Sequence, residues 1–140
     1  MKKDKLIFLI GRIQYKAGKL LTHELKAHHI MGLAPSHGEI LGSLMMRGPL
    51  SMSEIARIID KEKSTITVLV NKLIKMGYVE KTKHGTDNRI SLVALSMKGE
   101  ALRPAFKIIS NKLKTKAYKD ISDKEKETMF RLLTKLNDNF

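Results

Sequence analysis

The sequence predicts a mainly α-helical chain interrupted, past its middle, by one small β-hairpin. Three observations carry that expectation. Serine stands three residues before glutamate at Ser36/Glu39, Ser51/Glu54 and Ser122/Glu125, the pattern of a capping box that opens a helix. Apolar residues recur at helical spacing on both sides of these serines. After Gly77 the period changes from helical to strand-like.

The elements follow in order. Residues 5–29 carry Leu6, Ile10, Ile13, Ala17, Leu20 and Leu21 at helical spacing, and Gly32 and Pro35 are expected to break that helix. Ser36 is expected to cap a helix running to about Met46, ended by Gly48-Pro49. Ser51 caps a short helix through Ile59, and the polar stretch from Asp60 to Lys63 is a turn. A further helix runs from about Lys63 to Met76, with Ile66, Leu69, Val70 and Leu73 on one face and Gly77 at its C-terminal stop. Tyr78 to Lys83 and Arg89 to Leu95 are strand candidates, separated by turn residues from His84 to Asn88. Ser96 caps a helix with Leu102, Phe106, Ile109 and Leu113 in a heptad-like stripe, which Pro104 is expected to kink. Ser122 opens the last helix, whose apolar face is Met129, Leu132, Leu133 and Leu136.

Two helices joined by a tight turn and followed by a hairpin form a winged helix-turn-helix. Its second helix can enter the major groove of DNA, where base edges show a distinct pattern of donors and acceptors. On the helix from Lys63, the face opposite the apolar stripe shows Lys63, Ser64, Thr65, Thr67, Val68, Asn71, Lys72 and Lys75. Short hydroxyls and an amide suit bases, lysines suit phosphates, and Val68 suits a thymine methyl. The hairpin tip holds Lys83, His84, Asp87 and Arg89, and an arginine oriented by an aspartate suits a narrow minor groove.

Composition agrees. The 140 residues are 42% hydrophobic and 29% charged, with a net charge of +13. That is the size of one domain, and its charge favours nucleic acid as a partner. The charge does not locate the site: residues 57–89 carry 8 basic and 4 acidic side chains, residues 98–119 carry 7 and 1. With 0 cysteines, disulfides, thiolate metal sites and cysteine redox switches are excluded. The apolar run Leu6–Ile10 is too short to span a membrane and leads to no cleavage site, so a cytoplasmic location is expected. No nucleophile triad or phosphate loop stands out, and an enzyme is not expected.

The chain resembles the MarR family of transcriptional regulators. The resemblance lies in Gly48-Pro-Leu-Ser51-Met-Ser53-Glu54-Ile-Ala56, in Lys63 to Leu73 closing on Gly77-Tyr78-Val79-Glu80-Lys81, and in Asp87-Asn88-Arg89 with Leu95-Ser96 and Gly99. It implies a winged helix-turn-helix with N- and C-terminal dimerisation helices. Residues 34–99 would be the DNA-binding region, and residues 1–33 and 100–140 the dimerisation region, in one continuous unit. By position, Ser64, Thr65, Thr67, Asn71 and Lys72 would face the major groove, and Arg89, oriented by Asp87, the minor groove. Leu6, Ile10, Ile13, Leu102, Phe106, Ile109, Leu113, Met129, Leu132, Leu133 and Leu136 would serve dimerisation. The implied partners are a pseudo-palindromic double-stranded DNA operator, a second copy of the chain, and a small anionic or phenolic effector that releases a repressor from DNA. Family members often carry arginine where this chain has Val68 and Asn88, a departure that bears on the operator rather than on the fold.

Two other classes stand beside this one. A winged-helix module that binds protein or RNA is disfavoured by an aromatic content of 5%, since RNA binders stack bases on aromatics. A zinc-responsive regulator would draw on His23, Glu24, His28, His29, His37 and Glu39, but no histidine follows His84 to complete a site from the later helices. No cofactor is expected.

Overall fold

A computed structural model of the chain describes residues 5–84 and 87–140; the side chains of His84 and of residues 87–90 lie outside that description. Among the described residues seven helices and three strands follow in order: α1 (Leu6–Ala27), α2 (Pro35–Arg47), β1 (Leu50–Ser51), α3 (Met52–Ile59), α4 (Lys63–Lys75), β2 (Val79–His84), β3 (Asp87–Leu95), α5 (Met97–Glu100), α6 (Arg103–Ala117) and α7 (Asp123–Asp138). This is the mainly α winged helix-turn-helix that the sequence predicts. Among the described residues no helix is long and apolar enough to cross a membrane.

The wing is a three-stranded antiparallel sheet in the order β1-β3-β2 rather than a bare hairpin. Leu50 pairs with Val93 and Ser51 with Leu92, so the chain entering α3 is stitched to the return strand of the wing. The core lies between this sheet and helices α2, α3 and α4, where Ile40, Leu41, Ile55, Ile66, Val70, Leu73 and Val93 are fully buried.

Two capping boxes form as the sequence predicts. The Ser51 amide donates to Glu54 Oε1 at 3.0 Å and the Glu54 amide to Ser51 Oγ at 3.1 Å; Ser122 and Glu125 do the same at 2.9 and 3.1 Å. The box expected at Ser36 does not form. Pro35 takes the first helical position, which suits its fixed φ and missing N–H, and so Ala34 becomes the N-cap. The Ala34 amide donates to Nδ1 of His37, 2.9 Å away. Helix α1 matches the helical spacing read over residues 5–29: it stops at His28, and His29 turns into the left-handed region at φ 60°. The Ile30 amide then donates to the Leu25 carbonyl at 2.8 Å and closes the helix end. Pro104 does not kink a continuous helix either. It sits in the first turn of α6, and the chain is divided before it into α5 and α6.

The His37 cap depends on pH. Its ring is buried, and burial, with the Lys72 charge adding to it, holds its pKa below the ordinary histidine value. Nδ1 accepts a hydrogen bond only while that nitrogen is unprotonated. The unfolded chain takes up this proton below about pH 6.5 while the folded protein resists it. The stability from this cap is therefore complete above that pH and is lost as the pH falls towards the lowered folded value. Urea unfolding at about pH 7.5 and about pH 5.5 should show a fall in midpoint that is smaller in His37→Gln, whose amide can still reach back to the N-cap. An equal fall in both proteins would remove His37 from the account.

Candidate nucleic-acid interface

Helix α4 follows α3 after a turn in which Asp60 is left-handed, φ 59°, and the Lys61 amide donates to the Ala56 carbonyl at 3.1 Å. Its C-terminus is closed by the Tyr78 amide on the Leu73 carbonyl and the Gly77 amide on Ile74, with Gly77 at φ 83°. Ile66, Val70 and Leu73 are buried, and Leu69 and Ile74 pack beside them. This anchors one side of α4 and fixes which side faces out.

The outward row is Ser64, Val68, Asn71 and Lys75, spaced four, three and four residues apart, all exposed. Thr65 and Lys72 flank it and are exposed. Thr67 departs from the expectation: it is half-buried, and its hydroxyl donates to the Lys63 carbonyl at 2.9 Å. Lys63 is exposed at the first position of α4. The helix carries three lysines and no acidic residue. Lys75, which the sequence already placed on this face, ends the row. In the wing, Lys81, Thr82 and Lys83 are exposed on β2. The side chains of His84, Asp87 and Arg89, the other wing candidates, lie outside the described residues.

Below α4 the chain is tied tightly. The Ser96 amide donates to the Tyr78 carbonyl at 3.0 Å, and its hydroxyl donates to the Gly77 carbonyl. Ser96 Oγ also accepts from the Gly99 amide at 3.1 Å, and Lys98 Nζ reaches the Met76 carbonyl at 2.9 Å while lying over the Tyr78 ring. At the other end of α5, Arg103 pairs with Glu100 and donates to the Met45 carbonyl of α2 at 2.9 Å.

The expected dimerisation residues divide. Leu6, Ile13, Met129, Leu132 and Leu133 are exposed, and α7 has no buried residue. Ile10 and Leu136 are half-buried. Ile109 is buried in the subunit's own core, and Leu102 and Phe106 pack against it. Most of the α6 stripe is thus turned inward, against α1 and α2, where its apolar side chains find cover within one chain. There Lys112 Nζ donates to both carboxylate oxygens of Glu24, at 3.0 and 3.2 Å. That hydrogen bond is the chief reason the Glu24 carboxyl is held below the usual carboxylate range. A crevice of about 220 Å³ opens between α1, α2 and α6, lined by Leu21, Gly38, Glu39, Phe106, Ser110 and Leu113 among others.

The histidines considered for zinc do not gather. Among the described residues no cluster of three or more His, Cys, Asp or Glu could hold a metal ion. Glu24 is engaged by Lys112, His28 Nδ1 lies 2.9 Å from the Glu24 carbonyl, and His37 caps α2.

Comparison with known proteins shows where the chain is similar to others. The MarR family model matches residues 31–90, from before α2 to the returning wing strand. Over those residues the chain is similar to the MarR family. The HTH-type transcriptional regulator BilQ of Clostridium symbiosum is 28% identical over 86 residues, covering 61% of this chain and 60% of BilQ. The crystal structure of a probable transcriptional regulator from Pseudomonas aeruginosa superposes with a TM-score of 0.80 at 25% identity, covering 97% of this chain and 99% of that one. The S. aureus MepR–DNA complex gives 0.82 at 20% identity over 96% and 98%, a likeness of fold. SarZ of Staphylococcus haemolyticus, 25% identical over 130 residues, is likewise named an HTH-type transcriptional regulator.

Proposed function

We propose that this chain is a DNA-binding transcriptional regulator that acts in the cytoplasm as a homodimer on a pseudo-palindromic operator. The observation that carries this is the outward face of α4: exposed Ser64, Val68, Asn71 and Lys75, flanked by Thr65 and Lys72, with no carboxylate on the helix. Such a face offers hydrogen bonds to base edges and cations to phosphates. The fold shared with MepR, whose structure is a DNA complex, supports the same use. Residues 34–99 form the reading head, and residues 1–33 and 100–140 join two copies. The exposed apolar residues of α1 and α7 support that division. Repression is the expected outcome, because a dimer seated on promoter DNA obstructs polymerase. The crevice beside Phe106 suits a phenolic effector better than an anion, since Glu39 is in its wall and Ser110 supplies a hydroxyl.

The test is fluorescence anisotropy with duplex from the chain's own upstream region against scrambled duplex, near physiological salt. The native duplex should be preferred. Asn71→Ala and Arg89→Ala should each weaken it by about 1–3 kcal/mol, the second variant resting on sequence position alone. Adding a simple phenol should release the duplex if the crevice is the effector site. Equal affinity for both duplexes, together with no enriched palindrome in a genomic binding selection, would overturn the operator reading.

A further inference from the structure

Val68 is 70% exposed in the middle of α4. Every other apolar residue of that helix either lies in the core or packs against it. Folding therefore does not account for a valine here: its stiff χ1 makes it a mediocre helix former, and its methyls touch no core atom. The residues one turn away on either side, Ser64, Thr65, Asn71 and Lys72, are polar and exposed. Val68 is thus a single isopropyl group ringed by hydrogen-bonding and cationic side chains. That is far smaller than the apolar patch, a few hundred Å² or more, that a protein partner commonly takes. It is also separate from the exposed apolar residues of α1 and α7.

Asn71 stands three residues on, in the same outward row, and its amide makes no hydrogen bond to another described residue. The two side chains are about 5–6 Å apart on the helix surface, and base pairs stack about 3.4 Å apart. Lying in a major groove, they address the same base pair or adjacent ones. There the apolar group on offer is the 5-methyl of thymine, and the edge an asparagine matches with two hydrogen bonds is that of adenine, N6 and N7.

We propose that Val68 and Asn71 together read A·T pairs beneath the centre of α4 in each half-site, Val68 through a thymine 5-methyl and Asn71 through the adenine edge. The inference deepens the operator-binding proposal and rests on it. It also specifies why the polymer is DNA. Uracil lacks the methyl, and the deep, narrow major groove of A-form RNA does not admit side chains to read its bases.

The experiment begins with the duplex found by binding selection, measured against scrambled duplex. Each thymine is then replaced singly by deoxyuridine, which removes only the methyl. Each adenine is replaced singly by 7-deazaadenine, which removes only the N7 acceptor. Wild type, Val68→Ala and Asn71→Ala are compared, with circular dichroism confirming that the exposed substitutions leave the fold intact. One thymine per half-site should weaken wild-type binding about fourfold on loss of its methyl, the value of one buried carbon. Val68→Ala, altered at both half-sites, should bind the thymine duplex at least about fifteenfold more weakly and be indifferent to that swap. Asn71→Ala should lose about tenfold or more and be indifferent to 7-deazaadenine at the same or the neighbouring pair. If wild type discriminates the selected duplex from scrambled but no thymine swap weakens it, the Val68 inference is overturned while operator binding stands. If Val68→Ala keeps the full thymine preference, it is overturned equally. If no duplex is selected, both proposals fall together.

Discussion

Gly99→Ala is expected to destabilise the chain by about 3 kcal/mol, more than a buried methyl normally does. A β-carbon at residue 99 would stand 2.1 Å from the Tyr78 carbonyl oxygen, 3.1 Å from its carbon and 3.2 Å from Leu95 Cδ2. Two of those neighbours are backbone, so no side chain can swing away to make room. Either α5 or the start of β2 must move. The Tyr78 oxygen is also the acceptor for the Ser96 amide, and Ser96 Oγ accepts from Gly99 itself. Relieving the clash therefore breaks hydrogen bonds at the root of the wing. The gain in helix propensity from glycine to alanine, about 1 kcal/mol, works the other way and is too small to compensate. Gly42→Ala is the matched control. It lies in α2, and its added carbon meets nothing within 4 Å, so it should be neutral or slightly stabilising. Urea unfolding midpoints compare the two; a Gly99→Ala protein as stable as Gly42→Ala would mean that the helix and strand are not held against each other.

Leu133→Glu is expected to raise the dimer dissociation constant at least about a hundredfold, because it places a carboxylate where the proposed interface is apolar. Among the described residues α7 has no buried side chain: Leu132, Leu133 and Phe130 are 49%, 44% and 74% exposed. With Ile7 and Ile10 of α1, Phe130 and Leu133 border an open apolar crevice of about 530 Å³. A second copy laid along these helices would remove that surface from water. Sedimentation velocity should show the variant as a monomer at concentrations where wild type is a dimer, and duplex affinity should fall with it. A variant that remains dimeric would move the interface away from this face.

The sequence made the reading helix legible because burial imposes one strict period. Ile66, Val70 and Leu73 fixed its inner side, and the outer row followed from counting. Helix ends were legible where a side chain closes them locally, as at Ser51 and Ser122. One was not, where two signals competed: Pro35 at the first helical position outweighed Ser36. Strand β1 escaped notice because its two residues gain their structure from Leu92 and Val93, more than forty positions later. The α6 stripe shows the same limit differently. A heptad pattern says that Ile109 must be covered but not by which chain, and α1 and the core cover it within the subunit.

The knot around Tyr78 has a consequence for motion. The end of α4, the first wing strand and the linker into α6 converge on a few backbone groups, with Ser96, Lys98 and Gly99 bridging all three. Tilting α4 alone would shear hydrogen bonds in both neighbours at once. Reader and wing are thus geared together. The head then moves as one piece on α6, like a key on its shank, and in the proposed dimer the spacing between two such heads is the quantity left free to vary.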